Sequence, residues 1–414
     1  MNNTVTSRLM VGIDIGKRFH QATVIDDSGR IIGGSVRFAN NTPGGEMLLS
    51  RVDSVNPSRL PVFFCLEATG HYWLPLYSFL TSRGYPVAVI NPYQSDAWRK
   101  VHLSSTKTDK EDSYLIADLF RFGAVSSTVL PSEELVSLLN LTRFRMALSQ
   151  QITDTKRRIV TILDQIFPEF ETFFSAIFGK TAKAILEEYP TPDSLEKVSL
   201  RKLANLVSRL SQGRFKTEKA REIKDAAASS FGVTFAMDSF TLELRLLLGQ
   251  LEFLAGQIQT VEKEIATVMA KTPTTLTTIP GVSLLLAATI IAEIGDIKRF
   301  KTSSQLVAYA GINPTVRQSG QFSSNQNRMA KKGSPYLRLA LWQAAVVAIR
   351  FNPVLKDYYQ KRLAEGKNQM VVIGAVARKL TGIIFALLRD NKDFVVLKYG
   401  RTDALRAQDR NYGV

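Results

Sequence analysis

The chain carries a single cysteine, Cys65, and only three histidines in 414 residues. One thiol excludes an intrachain disulfide frame and a thiolate metal cluster. Cys65 lies in the apolar run Val62-Phe-Phe-Cys-Leu66, which suits a buried structural thiol. The N-terminus lacks a secretory leader pattern, and no uninterrupted apolar run reaches bilayer-spanning length. These absences point to a cytoplasmic protein with no membrane partner. Acidic residues are missing from one long stretch: from Ile297 to Lys356 there are ten Lys or Arg and no Asp or Glu.

Positive charge is abundant. Lys and Arg total 53 against 37 Asp and Glu, a formal net charge of +16. Polyphosphate is the polyanion that a basic cytosolic protein most commonly meets, so the balance points to nucleic acid before a small substrate. The length allows two or three domains with their own cores.

Residues 1–125 alternate short β-rich runs with helical ones, the pattern of an α/β domain. Strands are expected at Leu9–Ile15, Gln21–Ile25, Ile31–Phe38, Val62–Leu66 and Val87–Ile90, with helices from Thr42 as N-cap and over Tyr72–Arg83. Three antiparallel strands, then helix, strand, helix, strand, is the succession of an RNase H-like sheet. Asp14 falls in the middle of the apolar run Met10-Val-Gly-Ile-Asp-Ile15, a costly place for a charge unless it is paired or meets a cation. Glu67 follows directly on the fourth strand, at a carboxyl end that commonly borders a site. In Lys107-Thr-Asp109-Lys-Glu-Asp112, a helix begun near Thr108 puts Asp109 and Asp112 on one face. Favourable charge in a helix first turn accounts for those two as well, but it leaves Asp14 unexplained. Four carboxylates without interleaved His or Cys suit Mg²⁺ or Mn²⁺, and two such ions ~4 Å apart would clamp both oxygens of a phosphodiester exchange. His71, just after Glu67-Ala-Thr-Gly, suits a structural hydrogen bond better than catalysis.

The middle, residues 126–270, is helical. Leu138, Leu141, Leu148, Ile152, Ile159, Ile162 and Ile166 mostly follow a three-four alternation, and Phe240 to Val268 follows it unbroken over four heptads, a coiled-coil seam. The two helices pair within one chain, or one of them joins subunits, and the pattern favours oligomerisation. Between them, residues 169–238 form a basic helical insert whose cations serve phosphate contact or a solvated face equally well.

Residues 271–390 make a mostly helical C-terminal domain, and 391–414 a polar tail. Thr278-Ile-Pro-Gly281 before an apolar helix suits a helix-hairpin-helix phosphate contact or plain core packing. Tyr309-Ala-Gly-Ile-Asn-Pro leads into Arg317-Gln-Ser319-Gly320 and then Arg328-Met-Ala-Lys331-Lys332-Gly-Ser334-Pro335. Glycine after Ser319 frees the backbone for close approach to a ligand, and surrounding cations would stabilise a phosphate under attack. Ser334 already has a role as N-cap before Pro335, while Ser323 and Ser324 lack the following glycine. Lys107, Arg317, Arg328, Lys331 and Lys332 are the candidate nucleic-acid contacts.

Gly-Ile-Asp14-Ile-Gly-Lys, Leu-Glu67-Ala-Thr-Gly-His-Tyr, Asn91-Pro, Lys107-Thr-Asp109-Lys-Glu-Asp112, Ala-Gly-Ile-Asn-Pro and Gln-Ser319-Gly together resemble the DEDD transposases of the IS110 family, recombinases of insertion sequences related to the Piv DNA invertases. The match covers about residues 9–122 and 275–390, with the motifs in the family's order. The resemblance implies a RuvC-like first domain with Asp14, Glu67, Asp109 and Asp112 as a metal-binding tetrad. It also implies a C-terminal transposase domain whose serine, here Ser319, forms a phosphoserine link to DNA beside another subunit's acidic site, in a dimer or tetramer guided by an element-encoded bridge RNA. The number of residues from Ser-Gly to Lys-Lys-Gly-Ser-Pro varies among members. Two rival classes remain: a RuvC-like hydrolytic nuclease of the Holliday-junction type, and a sugar-kinase or actin-like ATPase suggested by Gly12-Ile-Asp-Ile-Gly16. The ATPase would need downstream nucleotide motifs that the chain lacks.

Overall fold

The computed structural model describes residues 7–68, 70–101, 108–123, 132–315, 318–319, 322–323 and 328–396. The chain divides into two compact units, Met1–Leu130 and Pro131–Val414.

The first unit is built on a mixed five-stranded sheet. Its strands are β1 (Leu9–Asp14), β2 (Phe19–Ile25), β3 (Ile31–Ala39), β4 (Val62–Glu67) and β5 (Val87–Ile90), in spatial order β3-β2-β1-β4-β5. β1 pairs antiparallel with β2, and β2 with β3, whereas β1–β4 and β4–β5 are parallel. The central β1 is buried along its whole length except at Asp14. Asp14 is thus the last residue of β1 rather than its middle, since the strand ends one residue earlier than its apolar run. Helix α1 (Thr42–Val55) is capped by Asn41, whose side chain accepts from Gly44 N at 2.9 Å, so Thr42 is helical and not the cap. Further helices are α2 (Trp73–Thr81), α3 (Pro92–Val101) and α4 (Asp109–Arg121).

One glycine decides where α4 lies. A Cβ on Gly12, in the middle of β1, would collide with the Ser113 carbonyl and the Ala117 backbone. With no side chain there, α4 settles directly on β1. A 2.7 Å hydrogen bond between the Thr23 and Ser113 hydroxyls ties the same helix to β2.

The second unit is helical. Long helices α5 (Glu133–Ile166) and, after four shorter ones, α10 (Met237–Lys271) pack against each other within the chain. This resolves the seam on α10: Leu244, Leu247, Leu251, Leu254, Val261 and Ile265 are buried, the first three of them in one core with Ile159, Ile162 and Ile166 of α5. The intervening helices are α6 (Lys180–Glu188), α7 (Pro192–Lys197), α8 (Leu200–Leu210) and α9 (Thr217–Ala228). Several cations of this insert have internal partners: Lys202 pairs with Glu188, Lys219 with Glu222, and Lys224 donates to the Leu195 carbonyl.

The other ends of α5 and α10 share a second core with α11 (Leu284–Ile294), α12 (Ser303–Ala310), α13 (Pro335–Phe351), α14 (Pro353–Ala364) and α15 (Gln369–Asp390). Gly281, at φ 100°, lies against Ala348 of α13, and Ser283 caps α11 with its own side chain. By length and composition α15 is apolar enough to cross a bilayer, yet Val376, Ala377, Leu380 and Ile384 are fully buried in this core.

Candidate active site

The parallel strands β1 and β4 end side by side, and each ends in a carboxylate, Asp14 and Glu67. The third and fourth come from α4. Thr108 accepts from Glu111 N as the N-cap, so Asp109 opens the helix and Asp112 follows in its first turn. Because Gly12 lets α4 lie on β1, that first turn is brought to the end of the strand.

Charge couples the four acids. Asp14 is pushed up from its ordinary 3.8 to about 6, first by burial and then by the charges of Asp112, Asp109 and Glu67. Burial and like charges disfavour the ionised form, and either a proton or a cation relieves them. Asp112 is buried and Asp109 exposed, so the cluster opens to solvent on the Asp109 side.

Two partners of the cluster are not legible in the sequence. Ser95 Oγ donates to Glu67 Oε2 at 2.9 Å and also to the Pro92 carbonyl. Arg99 reaches Asp112 Oδ1 at 2.5 Å and lies 3.8 Å from Asp96. Both project from α3, four residues apart and hence on one face; that spacing after Asn91-Pro is the available signal, although nothing local says that the face meets Glu67 and Asp112.

The donor set suits a hard divalent cation, being all carboxylate oxygen, with an elevated Asp14 that a bound cation would relieve. Among the described residues no three His, Cys, Asp or Glu side chains stand as close together as ligands of one ion do. Ser95 and Arg99 each engage one of the four acids, Glu67 and Asp112.

His71 packs against Tyr72 with ring centroids 4.3 Å apart and the rings tilted by 43°. Buried His20 is held below its ordinary pKa by burial and accepts from Gly16 N through Nδ1 at 3.3 Å.

In the second unit, Gln318–Ser319 and Phe322–Ser323 form a two-stranded antiparallel ribbon in which Ser319 pairs with Phe322. Pro314 bridges Met329, Thr315 N donates to the Arg328 carbonyl at 2.7 Å, and Lys331 N donates to the Gly311 carbonyl at 2.9 Å. Arg328, Lys331 and Lys332 are exposed around that base. Lys107, Arg317 and Ser324 lie outside the described residues. Ser334 is occupied structurally, accepting from Leu337 N at 3.1 Å and donating to Glu293 Oε2 at 2.7 Å. Buried Glu293 in turn receives two bonds from Arg143, at 2.7 and 3.1 Å.

Comparison with known proteins covers both regions. Residues 11–168 match the IS110-type DEDD family described as Transposase, and residues 274–360 match the family described as Transposase IS116/IS110/IS902 family. The chain is 26% identical to the IS110 insertion-element protein of Streptomyces coelicolor over 395 residues, 94% of this chain and 96% of the relative. It is 25% identical to the IS116 insertion-element protein of Streptomyces clavuligerus, covering 95% and 97% of the two chains. A pilin gene-inverting protein of Moraxella bovis is 25% identical over 94% of this chain and 98% of its own length.

Proposed function

The chain belongs to the IS110 family of insertion-sequence transposases and is a DNA transposase or recombinase, and on that premise we propose that it cuts and rejoins DNA through a covalent bond to Ser319, aided by Asp14, Glu67, Asp109 and Asp112. The observation that carries the proposal is the convergence of four carboxylates on the ends of β1 and β4, strong enough to lift Asp14 to about 6. The strand order β3-β2-β1-β4-β5 supports a RuvC-like, RNase H-like reading of this unit.

Asp14, Glu67, Asp109 and Asp112 would hold Mg²⁺ or Mn²⁺, which supplies polarisation of a phosphodiester oxygen when bound. Ser95 orients Glu67, and Arg99 balances the charge of Asp112. In the exchange, Ser319 Oγ forms a bond to phosphorus, the bond from phosphorus to one sugar oxygen breaks, and the serine proton passes to a base while the leaving oxygen gains one. Attack by a sugar hydroxyl of another strand reverses the step, frees Ser319 and keeps the bond energy. Arg328, Lys331 and Lys332, with Lys107 and Arg317, grip the DNA backbone. The family resemblance further supports an element-encoded guide RNA, with base pairing carrying specificity, and a homo-oligomer.

The test is recombination between plasmids bearing the element ends and a target, with the flanking noncoding RNA supplied and junctions counted by PCR. Asp14→Ala and Ser319→Ala each lose the junctions. Junctions at the wild-type level in either variant contradict the proposal.

A further inference from the structure

A second feature of the first unit lies next to the acidic cluster, and apart from Asp109 its residues have no part in the exchange described above. Lys17, Arg18, Phe19, His20, Arg37 and Asp109 line an open cavity of about 460 Å³. Asp109 belongs to the tetrad, so the cavity adjoins the acidic site. Its other walls come from the turn between β1 and β2, the first residues of β2 and the facing end of β3.

The sheet register explains the arrangement. Asp14 stands opposite Gln21, and Gln21 opposite Arg37. Phe19 and Gln21 are two residues apart, so their side chains share a face. Phe19 is 47% exposed, and the Arg37 guanidinium lies over its ring at 4.5 Å from the centroid. The backbone of the turn is pinned: Asn40 N donates to the Arg18 carbonyl at 2.9 Å, and Asn40 Nδ2 to the Lys17 carbonyl at 3.4 Å. The cationic ends are not. Arg8, Arg30, Arg83, Arg99 and Arg121 of this unit each have a carboxylate partner. Lys17, Arg18 and Arg37 form no ion pair among the described residues. Buried His20 is neutral near pH 7, so those three supply the cavity's positive charge.

Three unpaired cations on a fixed turn, beside an exposed aromatic ring already stacked on a guanidinium, match a nucleotide of a single strand: phosphate on the cations, base extending the stack. We propose that Lys17, Arg18, Phe19 and Arg37 form a subsite for one unpaired nucleotide of the DNA strand that enters the acidic site. DNA is favoured over RNA because Asp109 lines the same cavity, so the strand processed by the tetrad passes it. The inference rests on the DNA-recombinase reading above.

The test uses the full chain in EDTA, where no strand exchange runs, with a short fluorescein-labelled single-stranded DNA substituted with 5-iodouracil. Irradiation should attach the DNA to Phe19, and Phe19→Leu should remove that crosslink with the salt dependence of binding unchanged. Lys17→Ala/Arg18→Ala and Arg37→Ala should lower affinity and reduce the slope of log K against log salt by about 0.7 for each phosphate of the single strand no longer neutralised. Crosslinks elsewhere with unchanged slopes overturn the subsite, as does crosslinking at Phe19 by the matching RNA but not the DNA. A Ser319–DNA adduct assay on the same variants separates the two claims. Wild-type adduct with unaltered binding removes the subsite alone, and a Phe19 crosslink with no adduct in any protein removes the serine mechanism alone.

Discussion

Asp14 and Glu293 are both carboxylates withdrawn from water, and the molecule treats them in opposite ways. Glu293 receives two hydrogen bonds from Arg143 and one from Ser334, which is what a buried charge needs if it is only to hold helices together. Asp14 is surrounded by three more acids, and the nearby Arg99 is engaged by Asp112. One carboxylate is paired with a cation of its own chain; the other is crowded by acids. Burial alone therefore does not mark a functional acid, and it is the burial of Asp14 among like charges on which the proposed site rests.

The contrast can be broken from either side. Glu293→Ala removes the partner of Arg143 and Ser334 and should cost about 2–3 kcal/mol, read from denaturant unfolding, because Arg143 is 43% exposed and turns to solvent while the Ser334 hydroxyl loses its acceptor. Gly12→Ala should cost ~2 kcal/mol by overpacking between β1 and α4, and it should weaken Mn²⁺ binding measured by calorimetry, because Asp109 and Asp112 move away with the helix. Asp14→Asn should act with the opposite sign and stabilise the metal-free protein at pH 7. The shift from 3.8 to about 6 sets a ceiling of ~3 kcal/mol, lowered by solvent screening at this half-buried site. The folded state binds the Asp14 proton more tightly than the unfolded state does. The stability it adds is complete below pH ~4 and is lost as pH rises through ~6, so metal-free wild type should unfold more easily at pH 7 than at pH 5. Asp14→Asn should flatten that part of the pH profile. At the small end, Arg157→Ala opens an exposed pair with Asp154 and should change stability by less than ~0.5 kcal/mol.

The strands of the first unit, a helix start at Thr108 and the places of Glu67, Asp109 and Asp112 can be read from sequence because each depends on local pattern: alternation, a strand that ends in a charge, a capping residue before Asp109. Asp14 reads as mid-strand because Ile15 prolongs the apolar run past the strand's end. Ser334 as the cap of α13 is legible for the same reason. Arg99 and Ser95 are not, since their partners sit 13 and 28 residues away. The role of Gly12 is hidden too, because a glycine inside a strand does not announce which helix will lie on it. The heptads of α10 show a seam but not its mate; the packing with α5 inside one chain takes the structure to see. Glu293 escapes notice because an isolated Glu at the end of an apolar helix reads as a helix end, and its partner Arg143 is 150 residues distant.

The most direct test of the central claim is to incubate the purified protein with Mg²⁺, element-end DNA and the flanking noncoding RNA, denature it, and map any protein–DNA adduct by mass spectrometry. The account predicts an adduct on Ser319 that forms in wild type and is lost in Asp14→Ala. Cleaved DNA with no adduct, or an adduct on another residue, would contradict it and point instead to hydrolysis at the acidic site or to a different nucleophile.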